Sequence, residues 1–109
     1  MSCELRYHHI GIPSDVPREG EVYLEDIKLH FRDSGTNAYG IEWVRFEADS
    51  CMHELVKTVP HVGFAVDDIS AAIEGKNVIV EPTSPMEGLT IAFIEHEGVP
   101  VEFLEFSND

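Results

Sequence analysis

His61-Val62-Gly63-Phe64 decides the fold, because residues 9–12 repeat it as His9-Ile10-Gly11-Ile12. A second matched pair follows each: Ile41-Glu42-Trp43-Val44-Arg45-Phe46 in the first half, and Val101-Glu102-Phe103-Leu104-Glu105-Phe106 in the second. Both halves keep the same order, His-apolar-Gly-apolar and then a strand-like run with Glu in second place and Phe in sixth. An internal repeat sets the architecture before any single element does.

The second half is the fuller copy. Residues 60–66 read as a buried strand. Asp67-Asp68 offers a helix N-cap, and Ile69 to Ile73 carries apolar residues at helical spacing. Gly75 is a natural stop. Val78-Ile79-Val80-Glu81 reads as a short strand that Pro82 ends, and residues 83–88 as a loop with Pro85 and Gly88 as punctuation. Leu89 to Glu95 and Val99 to Phe106 read as strands around a His96-Glu97-Gly98 turn. The expected order is βαβββ.

The first half is abbreviated. Tyr7 to Ile12, Ile27 to Arg32 and Gly40 to Glu47 read as strands. Pro13, Pro17 and Gly20 rule out a long helix between the first two. The loss shows in the spacing: His9 to Glu42 is 33 positions, His61 to Glu102 is 41. Ser50 is expected to cap a short helix through Met52 to Lys57. The fold class is therefore α+β: two tandem βαβββ modules, the first with a reduced helix, forming a curved half-barrel mixed sheet. Module one spans about 5–48, the linker helix about 50–58 and module two about 59–107.

Composition narrows the function. Among 109 residues, 21 are Asp or Glu and 7 are Lys or Arg, a net charge of −14. Such a field repels phosphate backbones and anionic lipid, so neither nucleic acid nor membrane is expected as a partner. Cys3 and Cys51 form no CxxC pair. Met1 to Arg6 lacks the apolar core of a signal peptide, and no apolar run is long enough to span a bilayer. A cytoplasmic protein with reduced thiols is the expectation.

Strand alternation puts His9 and Gly11 on one face, and likewise His61 and Gly63. Glu42, Val44 and Phe46 share a face, as do Glu102, Leu104 and Phe106. If the sheet curls, pseudo-twofold symmetry brings His9, Glu42, His61 and Glu102 into one concavity. The glycines beside the histidines are expected to leave room there for a ligand. Two imidazoles and two carboxylates suit a divalent ion such as Zn, Ni, Co, Mn or Fe. Without a cation, two buried carboxylates held together are costly, and either one of them protonates or the site opens to water. Taken singly, a His at a strand start is more often structural and a late-strand Glu more often solvated; the repeat is what lifts both. His8 competes with His9, which is preferred because it aligns with His61. His30 is expected at the rim or in solvent, His53 and His96 in solvent. Trp43, Arg45 and Phe103 fall on the opposite face, the aromatics packed under helices. Tyr39 and Met86 fall in loops near the site.

The pattern resembles the vicinal-oxygen-chelate superfamily, also called the glyoxalase/bleomycin-resistance/extradiol-dioxygenase family. The resemblance is strongest in PHVGFAVDDISAAIEG and VIVEPTSPMEGLTIAFIEHEGVPVEFLEF (residues 60–75 and 78–106), and in module one at HHIGI and GIEWVRF. It implies a single glyoxalase-like domain with a metal on the concave face. Its ligands, carried over by position, are His9, Glu42, His61 and Glu102. It also implies a metal-dependent lyase or isomerase acting on a small oxygenated substrate through an enolate-like intermediate, with Glu42 or Glu102 moving the proton. Some members bind drugs without a metal, so a non-catalytic small-molecule-binding protein of the same fold is the alternative. Fe(II) oxygen chemistry ranks lower, since a fourth protein ligand would take a position O2 needs. The reduced first helix leaves a sheet face bare, which favours a homodimer.

Overall fold

The computed structural model describes residues 4–107. Eight strands form one curled mixed sheet, with two short helices. The first half supplies β1 (Arg6–Pro13), β2 (Val22–Leu24), β3 (Leu29–Arg32) and β4 (Ile41–Phe46). The second supplies β5 (His61–Ala65), β6 (Val78–Met86), β7 (Leu89–His96) and β8 (Val99–Phe106). Helix α1 (Glu54–Thr58) links the halves, and α2 (Ile69–Ile73) lies between β5 and β6.

The sheet order is β2-β3-β4-β1-β5-β8-β7-β6, a palindrome about its centre. In each half the first strand pairs parallel with the last, β1 with β4 and β5 with β8. The halves meet where β1 runs antiparallel to β5. That junction sets Gly11 opposite His61 and His9 opposite Gly63.

Each face has its own packing. Under the second half, Ile69 and Ala72 of α2 pack on Ala92, Ile94 and Phe103. The Asp68 side chain accepts from the Ala71 N–H, and the Glu105 carboxylate accepts from the Ile69 N–H at 2.9 Å. Both satisfy orphan donors of the first turn. Phe103 thus sits under a helix as expected. Trp43 does not: the strap after β1 takes the helix's place. The Arg18 guanidinium lies 4.0 Å from the Trp43 ring centre, and Glu21 grips Arg45 through two hydrogen bonds, of 2.6 and 3.3 Å. Stacked and paired charges cover this face where prolines forbid a helix.

On the concave face, α1 is a plug. Val56 is 1% exposed and, with Met52, packs against Ile91, Phe93 and Leu104. The helix starts later than expected: His53 is its N-cap, the ring Nδ1 accepting from the Leu55 N–H at 3.0 Å. Ser50 instead accepts from the Met52 N–H just before it.

Residues 83–86 are strand, where a loop was expected. Pro82 and Pro85 are tolerated because β6 is the sheet edge and its pairing with β7 shifts register between Val78 and Met86. Met86 is accordingly a strand residue. The three-residue β2 was not foreseen.

Among the described residues, no helix is long and apolar enough to cross a membrane. Cys51 is a free, exposed thiol; Cys3 lies outside the described residues.

Candidate metal centre

At the centre of the sheet, one nitrogen gathers three neighbours. His9 Nε2 lies 3.2 Å from Glu42 Oε1, 3.0 Å from Glu102 Oε1 and 3.1 Å from His61 Nε2. Glu102 Oε1 also reaches His61 Nε2 at 3.2 Å. The four residues singled out by the repeat therefore converge, from β1, β4, β5 and β8. His9, His61 and Glu102 are buried, and the Glu42 side chain is 16% exposed.

The glycines have a different task from the one expected. A β-carbon on Gly11 would overlap the His61 ring, and one on Gly63 would overlap the His9 ring. Each imidazole therefore lies across the bare backbone of the other module. Neither glycine has a positive φ, so they are needed for space and not for backbone freedom. The room they leave is filled by the rings themselves.

His8 joins the site through a bulge. Register slips between Tyr7 and His9 in the β1–β5 pairing, so His8 is an extra residue. Bulges re-aim side chains in this way. Both His8 and His9 line the concave cavity, which resolves their competition: neither is excluded. The two Nδ1 atoms are 2.8 Å apart. Burial and the neighbouring His9 hold the His8 pKa below its usual value, and in the short contact one ring donates to the other. With a metal ion bound, donation from His9 Nδ1 to His8 would leave the His9 Nε2 lone pair for the ion.

The related carboxylates are driven in opposite directions. Burial pushes the Glu42 carboxyl from 4.5 to about 7, with the Glu102 charge adding to the rise and His9 opposing it. Burial acts on Glu102 in the same sense, but hydrogen bonds from His61 and His9 outweigh it and hold that carboxyl down to about 2. Burial also works to lower the His9 pKa; the Glu102 hydrogen bond and the charges of Glu102 and Glu42 overcome it and leave the pKa raised.

These donors fit a divalent cation. A neutral imidazole has one N–H, so His9 and His61 cannot satisfy each other and two carboxylates at once. A cation satisfies all these lone pairs together. Ligand atoms about 2.1 Å from one ion sit roughly 3.0 Å apart at right angles and roughly 3.4 Å apart in a tetrahedron. Within the triad of His9, Glu42 and His61, the separations of 3.2 Å from His9 to Glu42 and 3.1 Å from His9 to His61 fall in that window. Atoms of His9, Glu42 and His61 all lie within 4.8 Å of one another, so this buried triad can hold a metal ion. Glu102 Oε1 contacts the Nε2 atoms of both imidazoles. His61 Nδ1 is buried without a partner.

Beside the cluster lies a cavity of about 190 Å³. Apolar side chains such as Leu29, Phe31, Val44, Phe93, Leu104 and Phe106 line it, with Asp33, His8 and the cluster at its polar end. Met86 reaches it, whereas Tyr39 is 76% exposed. His30 is on the far face, 3.1 Å from Glu47 and stacked on Tyr23. His96 is exposed, as expected.

The sheet and the buried group together define a curled half-barrel α+β protein with a candidate His/Glu/His metal site. The half-barrel is consistent with the vicinal-oxygen-chelate fold that the sequence resembles. Among solved structures, the chain is similar to a hypothetical protein of Bacillus halodurans C-125, at 21% identity and a TM-score of 0.67. The similarity covers 100% of this chain and 98% of that one, and it speaks for the fold alone. No protein-family model matches the chain, and no curated protein does.

Proposed function

We propose that this protein is a divalent-metal-dependent lyase or isomerase that moves a proton on a small oxygenated substrate. The carrying observation is the convergence of His9, Glu42 and His61 beside a cavity, with ligand atoms within 4.8 Å of one another and Glu102 in contact with both imidazoles. A divalent ion there supplies Lewis-acid polarisation of a substrate oxygen.

The chain's own residues divide the remaining work. His9 and His61, pinned over glycine backbone, hold fixed positions. Glu102 stays ionised and offsets positive charge. Glu42 is the residue to move the proton, because it is the more exposed of the two carboxylates and touches one imidazole where Glu102 touches two, so it is the one freer to loosen and act as base. The apolar walls exclude water from the reacting end.

The alternative is a non-catalytic protein that sequesters a small apolar ligand, and the predominantly apolar cavity wall favours it. Titration calorimetry of the metal-stripped protein with Zn, Ni, Co and Mn, repeated on His9→Ala and His61→Ala, tests the first reading. Tight binding of one ion by the parent protein and its loss in both variants is expected. Absence of tight binding for all four ions overturns the metal reading and leaves the sequestering one.

A further inference from the structure

The cavity walls carry a charge pattern that selects among ligands. Among the described residues, Asp33, Glu42 and Glu102 line the chamber, and no lysine or arginine does. With a divalent ion in place, Glu42 and Glu102 cancel its two charges, and Asp33 remains. A ligand carboxylate or phosphate finds no lysine or arginine here to replace its lost hydration, and the His9 ring is already engaged by Glu42 and Glu102. Burying such an anion unpaired is costly. The chain's net charge of −14 works in the same direction from a distance.

Size and shape limit the ligand further. A cavity of about 150 Å³ lined by apolar side chains accepts benzene. The chamber here, at about 190 Å³ and partly open to solvent, seats one ring and a short substituent within its walls. Its polarity is one-sided: His8, His9 and the carboxylates stand at one end, and Val44, Phe46, Phe93 and Leu104 form the walls. The ring of Phe93 meets His61 edge-on at 5.2 Å, and Phe106 lies 5.5 Å from His8, so aromatic surface reaches right up to the polar end.

We propose that the chamber takes an uncharged, single-ring molecule, or an equally compact apolar one, with a short oxygen-bearing end directed at the His/Glu group, and that it turns away the matching anion. This rests on the reading of the cavity as the ligand chamber of the metal centre, and it narrows the substrate class to neutral, compact molecules.

Benzamide and benzoate have almost the same shape and differ in charge, so they are the probes. Binding is followed by NMR amide shifts and calorimetry, with both the metal-stripped and the zinc-loaded protein, at pH 7.5; acetophenone serves as a second neutral probe. Benzamide and acetophenone should shift amides of residues lining the chamber, and benzoate should bind at least tenfold more weakly in both forms. Met86→Lys places a cation on the lining at a residue that is already 39% exposed, so the fold should tolerate it. It should narrow or reverse the preference while zinc binding stays intact. Benzoate binding as tightly as benzamide, or shifts from neither neutral probe, overturns the proposal. If zinc fails to bind while the neutral preference holds, the metal reading falls and this one stands. If zinc binds and benzoate is preferred, the reverse follows.

Discussion

The His9 imidazole lies across the Gly63 backbone on the neighbouring strand, in the space a β-carbon would occupy. His61 and Gly11 repeat the arrangement with the modules exchanged. Each glycine therefore holds open a seat for a histidine of the other module, 54 residues away for Gly63 and 50 for Gly11, at the junction where the modules pair.

Gly63→Ala should push the His9 ring out of its seat. Overpacking a tight interior costs about 1–3 kcal/mol. Chemical denaturation should show a loss of that size. Metal binding should fall by a larger factor than stability does, because the ring's position is what is lost. An alanine variant that binds metal like the parent would mean the ring has another resting place.

The pH dependence of the metal-free protein follows from Glu42. Its folded pKa of about 7 lies above the usual 4.5, so the folded state holds the proton more tightly. That contribution is complete below pH 4.5 and is lost as pH rises through 7; His9, also raised, acts in the same direction above pH 6.5. Glu102 acts oppositely, its contribution being lost only as pH falls from 4.5 through about 2. Stability should fall between pH 4.5 and 7 by up to roughly 3 kcal/mol. Glu42→Gln should flatten that slope, as read from denaturation midpoints across pH. An unchanged slope in Glu42→Gln would assign it to other groups.

His8 should orient His9 through the Nδ1–Nδ1 contact. Removing such an outer partner typically costs about tenfold to a hundredfold in metal affinity. His8→Ala should show a loss of that order in calorimetry, and His8→Asn, which keeps an acceptor, should recover part of it. Equal affinity in all three proteins would reduce His8 to a wall of the cavity.

The strap over Trp43 should come loose in Arg45→Ala, which removes both hydrogen bonds to Glu21. Faster amide exchange is expected across residues 14–24, with zinc affinity unchanged because Arg45 lies on the convex face. Unchanged exchange would show that the Arg18–Trp43 stack holds the strap unaided.

The site was legible in sequence because it is written twice. A His and a Glu recurring at matched places on alternating strands identify one face, and the palindromic sheet brings those faces together. The features that were not legible break a period or depend on a partner. The bulge at His8 leaves no mark on a period-two pattern. Strand β2 is too short to alternate visibly, and the length of β6 depends on its place at the edge, which prolines alone do not reveal. The glycines were read correctly as lack of bulk, but what fills the gap is set by the β1–β5 register. His53 as a cap, and α1 as a plug, depend on how the linker docks.

A seating plan in which each half keeps the chair for the other half's guest has no partial form. Cleaving the chain between the modules would leave two fragments, each with an imidazole and an empty chair. The cluster is thus a logical conjunction: its side chains meet only when both halves are folded and mated.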